Sequence, residues 1–415
     1  MLKRRFSVLL LALAALAACA STPELPGSPV PTPAPEAAAT LPPIPTPEPT
    51  PTPDPVEERL KALSEEEKVG QLLVTALPGT EAGAQAETAI GEYQVGGVIL
   101  FRSNIESGAQ LIGLLNSLQS LNGDHVPLFL CVDQEGGRVD RMPPEVLRTP
   151  SAQRVGDSQS PETAREYGAV LASACGAFGF NMDFAPCLDI WSNPENTVIG
   201  DRALGRDGER VAQLGLAALE GMARTGGVIP VVKHFPGHGD TSLDSHAVLP
   251  VVDKSLEELR QNELIPFRRA VQAGVPAVMT AHLLMTQLDP ERPASLSPAV
   301  VTGLLREELG FNGVACTDDL TMGAIANTYG IGEAAVLAVE AGCDLLLVCG
   351  RIDDLEQARG ALLDAVREGR ISQERLDESV RRILTLKEAY GLSGGCKEVP
   401  DLEALNGRIA GLWEQ

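Results

Sequence analysis

GVACTDDLTMGAIANTYGIGEAAVLAVEAGCDLLLVCG, residues 313–350, opens on one apolar run, Gly313–Thr317, and closes on another, Asp344–Cys349. Between them, Ile331–Ala341 carries apolar residues at helical spacing. Neither run alternates with polar residues, as a strand with one wet face would. Continuous apolar strands fit a parallel sheet covered on both faces. The stretch therefore predicts a strand, a crossover helix and a second, parallel strand.

The same unit recurs upstream. Further strands are predicted at Gln71–Thr75, Val95–Phe101, Pro127–Val132, Asn181–Phe184, Val228–Val232 and Pro276–Thr280. Helical patterns at Ala109–Leu121, Pro161–Phe178, Asp207–Arg224 and Ser255–Ala273 separate them. Strand–helix units in this series predict an α/β protein with a (β/α)8 TIM-type barrel as its single catalytic domain, over residues 56–392. A doubly wound open sheet is the competing architecture. Two more helices, Leu355–Arg367 and Gln373–Tyr390, close the domain, and the Gly-rich stretch after Leu392 opens a tail, 393–415.

A barrel places its functional residues just past the C-terminal ends of its strands. The polar residues at those positions are Asp133 after the third strand, Arg202 beyond the fourth, and Lys233 and His234 after the fifth. His282 follows the sixth strand, and Asp318 and Asp319 the seventh.

The N-terminal residues address the compartment. Lys3, Arg4 and Arg5 precede an apolar run, Phe6–Leu16, which ends in Leu16-Ala17-Ala18-Cys19. This reads as a signal peptide over residues 1–19, too short to span a bilayer well. Its ending resembles a bacterial lipobox, in which Cys19 would be lipidated after cleavage. Residues 20–55 are dominated by Pro, Thr, Ala, Ser and Glu and predict an extended, disordered spacer. The expected location is extracytoplasmic, on the membrane through a lipid anchor.

A formal charge of -23 argues against nucleic acid as a partner. Of eight cysteines, Cys131, Cys187, Cys316 and Cys349 sit in or beside apolar runs, and no CxxC pair occurs. Few or no disulfides are expected.

Three of the five histidines lie in KHFPGHGDTSLDSH, residues 233–246. Pro236, Gly237 and Gly239 exclude a regular helix, which predicts a long loop after the fifth strand. His234, His238, His246, Asp240 and Asp244 could bind a metal, although their spacing matches no zinc signature. Acid/base work is the other reading. In an extended loop Asp244 and His246 project to the same side, and a carboxylate beside an imidazole stabilises its protonated form. For a nucleophile, VACTDDLTMGAI (314–325) offers Asp318 and Asp319. One can face the barrel mouth while the other caps a helix beginning near Leu320.

Four separated motifs carry a resemblance: VDQEGGRVDR (132–141), IGDRALG (199–205), KHFPGHG with DSH (233–246) and TDDLTMGAI (317–325). From Val56 to about Leu392 the chain resembles the single-barrel β-N-acetylglucosaminidase branch of glycoside hydrolase family 3. The resemblance implies Asp318 as nucleophile and His246 as acid/base, with Asp244 completing a dyad. It implies sugar-binding roles for Asp133, Arg141, Arg202, Lys233 and His234. Gly237 and Gly239 are candidate flexible points of the His246 loop. Glu135, Arg138 and Asp201 read equally well as structural ion pairs, and His282 as a pocket-lining residue. His125 and His238 receive no role.

The implied activity is a retaining exo-β-N-acetylglucosaminidase acting on cell-wall (peptidoglycan) fragments or related glycans, as a monomer without metal or cofactor. A phosphorylase of the same family is an alternative, because a histidine acid/base does not repel phosphate. A non-catalytic wall-binding lipoprotein is a third reading, disfavoured by the intact Asp318, Asp244 and His246.

Overall fold

A computed structural model of the protein describes residues 54–241 and 249–415. Cys19, the leader, nearly all of the Pro-rich spacer, Asp244 and His246 lie outside the described residues. Eight parallel strands form one sheet: β1 Leu73–Ala76, β2 Gly97–Leu100, β3 Phe129–Val132, β4 Met182–Asp183, β5 Ile229–Phe235, β6 Ala277–Thr280, β7 Val314–Thr317 and β8 Leu346–Val348. Each strand pairs with the next, and β1 pairs with β8 through Leu73–Leu346, Val74–Leu347 and Thr75–Val348. The ring closes between β7 and β8, where Asp344 N–H donates to Ala315 O at 2.7 Å and Thr317 N–H to Leu345 O at 3.0 Å. The sheet is thus a closed (β/α)8 barrel, not the open doubly wound alternative. The seven described cysteines are free thiols, five of them buried.

Burial explains the composition of the strands. All residues of β2, β3, β5, β6, β7 and β8 are buried, because neighbouring strands, outer helices and the barrel interior leave no wet face. The crossover helices start where local chemistry caps them. Ser160 Oγ accepts from Thr163 N–H at 3.1 Å, with Pro161 as the first residue of helix Pro161–Phe178. Asp207 Oδ1 accepts from Arg210 N–H at 2.9 Å at the head of helix Gly208–Thr225.

Three expectations change. The helix expected over Ser255–Ala273 is two helices, Leu256–Gln261 and Leu264–Gln272, broken at Asn262. A proline ring clashes with the carbonyl four residues earlier, so Pro266 is incompatible with a helix running unbroken through Asn262. The loop expected from Lys233 onward begins later, since β5 continues through Lys233 and His234 to Phe235. Partners on both sides extend it: Lys233 O accepts from Leu188 N–H at 2.7 Å and Phe235 O from Ala281 N–H at 2.8 Å. Finally, the tail contains a helix, Glu403–Trp413, packed on helix Pro161–Phe178. Its Leu405, Ile409 and Leu412 are buried, each worth at most roughly 2 kcal/mol of apolar burial.

Candidate active site

A cavity of about 460 Å³ opens at the C-terminal ends of the strands. Asp133, Arg141, Arg202, Lys233, His234 and Asp318, all predicted from the sequence, line it together, joined by Glu135, His238 and Asp319.

One side of the cavity is an ion network. Lys233, at the end of β5, is 2% exposed, and its Nζ lies 2.5 Å from Asp133 and 2.6 Å from Glu135. Burial alone would lower its pKa; the Asp133 and Glu135 carboxylates outweigh that and raise it, so the ammonium stays charged. Glu135 is likewise 2% exposed. Burial would raise its pKa, but Arg202 and Lys233 hold it well below the usual carboxylate range. Glu135 is therefore a structural ion-pair partner. Arg138 and Asp201 also pair, at 3.0 Å, nearer the surface.

His234 sits between two fixed partners. Arg202 Nη2 is 3.2 Å from His234 Nε2, and a guanidinium only donates. His234 Nε2 is then the acceptor, which places the proton on Nδ1, donated to Asp189 Oδ2 at 2.5 Å. Asp189, fully buried, also accepts the backbone N–H of His238 at 2.6 Å and of His234 at 3.2 Å. Burial would raise its pKa; the interactions with His234 and His238 outweigh that and bring it down to about 2. Sequence reading passed over Asp189, although it follows β4 and the strand-end rule that selected Asp133 could have selected it too.

Cys187, Asp189 and His234 form the one group of three potential metal ligands among the described residues. Ligands around a tetrahedral zinc with bonds of about 2.0–2.3 Å stand well over 3 Å apart. The 2.5 Å between Asp189 Oδ2 and His234 Nδ1 is instead a hydrogen bond, and Arg202 occupies the other imidazole nitrogen. The geometry favours a hydrogen-bond network over a metal centre.

Across the cavity, β7 ends in two aspartates with different surroundings. Among the described residues, Asp318 Oδ1 accepts only the neighbouring Asp319 N–H, at 2.8 Å. Burial would raise its pKa, but His282, His234, the Asp319 N–H and Lys233 together hold it below its ordinary value. Asp319 is tied down. Its carboxylate accepts from Thr321 N–H at 2.9 Å, Thr321 Oγ1 at 2.6 Å and Cys349 N–H at 3.0 Å. The following helix begins at Gly323, so Asp319 holds the turn before the helix instead of capping one near Leu320. His282 does not line the cavity. It is buried behind Asp319, bonded to Ser295 Oγ at 2.7 Å and Asp319 O at 3.0 Å. His125 is exposed and distant from the cavity lining.

Arg141 reaches the cavity from the loop after β3, and its buried Nε has no hydrogen-bond partner among the described residues. The arrangement joins one ionised carboxylate, Asp318, to a set of charged donors and acceptors able to hold a polyhydroxylated ring. The two glycines proposed as flexible points are sites of close packing. A Cβ on Gly239 would stand 1.7 Å from Ile190 O, and one on Gly237 2.9 Å from Glu263 Cβ.

Comparison with known proteins places this geometry in context. Residues 64–386 match the glycosyl hydrolase family 3 N terminal domain. A beta-hexosaminidase A from Pseudoalteromonas piscicida is 37% identical over 323 residues, 72% of this chain and 54% of that protein. A beta-hexosaminidase from Nitrosomonas eutropha is 34% identical over 80% of this chain and 97% of its own length. Among solved structures, a family 3 beta-N-acetylglucosaminidase from Paenibacillus superposes with a TM-score of 0.81 at 45% identity, over 85% of this chain and 69% of the other. The chain thus spans about half the length of the first of these relatives.

Proposed function

This chain belongs to glycosyl hydrolase family 3, and on that premise we propose that it is a retaining exo-β-N-acetylglucosaminidase. The observation that carries this reading is the ionised Asp318 carboxylate, facing a cavity lined by Asp133, Arg141, Lys233 and His234. The relatives named as beta-hexosaminidases supply the sugar class. Asp318 attacks the anomeric carbon and its bond to the leaving oxygen breaks, giving a glycosyl-enzyme that water then hydrolyses. His246 protonates the leaving oxygen and afterwards takes the proton from the water, with Asp244 orienting its ring. Lys233, held by Asp133 and Glu135, keeps a fixed positive charge beside the sugar, and Arg202 keeps His234 in one tautomer.

Terminal β-linked N-acetylglucosamine of cell-wall fragments is the proposed substrate. The enzyme acts as a monomer held outside the membrane by lipid on Cys19, a reading supported by the basic residues, apolar run and Leu-Ala-Ala-Cys ending of residues 1–19 and by the Pro-rich spacer. No helix among the described residues is long and apolar enough to cross a membrane.

The test uses chromogenic β-N-acetylglucosaminide and β-glucoside, each with and without phosphate, with product identification. Release of free N-acetylglucosamine, independent of phosphate, is the expected result. Sugar-1-phosphate as the product would make the enzyme a phosphorylase, and preference for the glucoside would overturn the sugar assignment.

A further inference from the structure

Helix Glu403–Trp413 lies beyond the residues that match the family. Apart from Trp413 O, which accepts from Arg154 Nη2 at 2.6 Å, its polar contacts fall into two groups. Arg408 docks it on helix Pro161–Phe178, through Glu166 at 2.6 Å and Ser173 Oγ at 3.0 Å. The other group reaches the loop after β3. Asn406 Oδ1 accepts from Leu147 N–H at 2.8 Å, and its Nδ2 donates to Glu145 O at 3.0 Å, bracketing the buried Val146. Trp413 Nε1–H donates to Arg148 O at 2.8 Å.

From there hydrogen bonds lead inward. Thr149 N–H donates to Asp140 Oδ2 at 3.0 Å, and Thr149 O accepts from Gly137 N–H at 2.9 Å. Asp140 Oδ1 accepts from Met142 N–H at 3.1 Å, and Arg141 N–H donates to Gln134 Oε1 at 2.7 Å. Asp133, Glu135 and Arg141 all belong to this loop. It carries Gly136, Gly137, Pro143, Pro144 and Pro150, so it forms no helix or continuous ladder, and its shape depends on side-chain bonds within it and on bonds from outside it. Asp140 closes it from within; Asn406 and Trp413 hold its far side.

We infer that the C-terminal helix is a clamp that sets substrate affinity, with Asn406 and Trp413 as positioning residues for Arg141 and Asp133. They touch no sugar; they act through residues 145–149. Asp318, just past β7 across the cavity, is outside their reach. Loosening the clamp therefore weakens sugar binding and leaves the chemical step intact. The inference rests on the reading of Asp133 and Arg141 as sugar ligands.

The test compares wild type with Asn406→Ala, Trp413→Phe (which keeps a ring beside Arg154 but loses the N–H) and Arg408→Ala. Kinetics on a chromogenic β-N-acetylglucosaminide are paired with amide hydrogen exchange of residues 136–149. Asn406→Ala, alone or with Trp413→Phe, is expected to raise KM several-fold with kcat within about twofold, and to speed exchange in that loop. Arg408→Ala should leave both readouts near wild type, because it touches the outer helix and not the loop. Wild-type KM and loop exchange in the Asn406 and Trp413 variants would overturn the clamp, as would an equal rise in KM for Arg408→Ala. If Asn406→Ala fails to fold, Trp413→Phe alone decides. A wild-type enzyme inert on the glycoside would refute the functional reading instead, and the exchange comparison would still decide the clamp.

Discussion

Arg202 grips Glu135 through two hydrogen bonds of 2.8 Å, and the same carboxylate takes Lys233 Nζ at 2.6 Å. Two cations thus converge on one buried anion, with Asp133 completing the balance on Lys233. Removing the anion leaves two buried positive charges beside each other, and breaking such a pair costs about 3–5 kcal/mol. Glu135→Ala is expected to lower the unfolding free energy read from urea titration by an amount in that range, and Glu135→Gln by somewhat less. A midpoint unchanged in both variants would mean that the network relaxes to solvent.

The two aspartates after β7 should separate in the same kind of measurement. Asp318→Ala removes one hydrogen bond from a half-buried carboxylate at the cavity mouth, so stability should hold while turnover falls roughly 10⁴-fold or more. Asp319→Ala removes three hydrogen bonds that join the turn to Thr321 and Cys349, and should cost about 2–4 kcal/mol of stability. A slow fluorinated glycoside should label Asp318. Covalent label on Asp319 would reverse the assignment.

The barrel was legible because its strands are buried on both faces along nearly their whole length, so apolar runs such as Val314–Thr317 stand out without alternation. The gathering of Asp133, Arg202, Lys233, His234 and Asp318 was legible for a related reason: the fold brings strand ends together whatever their spacing in sequence. What escaped was contact between elements. The role of Asp189 depends on the approach of His234 from β5 and His238 from the loop after it, and nothing near Asp189 in sequence encodes that. The break at Asn262 was readable from Pro266, but the apolar period ran through it. The helix at 403–413 is short and follows a Gly-rich stretch, and only its packing on helix Pro161–Phe178 and the loop after β3 gives it weight.

Acid should weaken the fold in two stages. Burial, aided by the neighbouring His234 imidazole, pushes the His238 pKa from 6.5 down to about 4. Between those values the unfolded chain binds a proton that the folded chain refuses, so stability is full above about pH 6.5 and falls as pH drops toward 4. Asp189 acts lower. With its pKa brought from 3.8 down to about 2, its contribution is present above pH 3.8 and lost as pH falls toward 2. The histidine stage is worth at most about 3 kcal/mol at 1.36 kcal/mol per unit. Urea midpoints at several pH values between 7 and 4 should decline in wild type and flatten in His238→Gln. The same slope in both would assign the acid sensitivity elsewhere.

Cys19 provides the test of location. In a bacterial host the mature protein should fractionate with membranes and incorporate labelled fatty acid. Cys19→Ala should abolish the label and leave the protein soluble or unprocessed. A mature N-terminus without lipid would contradict the lipobox reading.

His246, outside the described residues, is tested through its leaving group. A sugar alkoxide needs a proton to depart, whereas a nitrophenolate leaves largely unaided, so general acid catalysis matters most for the poorer leaving group. His246→Ala should therefore lose far more activity on a β-linked disaccharide than on an activated aryl glycoside. Asp244→Ala should show a weaker form of the same bias, because it orients and charges the imidazole without itself moving the proton. Asp318→Ala should lose both substrates alike, since both need the nucleophile. If a metal bound by this loop carried the reaction, chelators would inactivate the enzyme and His246→Ala would depress both substrates together. Kinetics of the three variants on both substrates, with and without chelator, separate these cases. Equal losses on the two substrates for His246→Ala would remove it from the acid/base role.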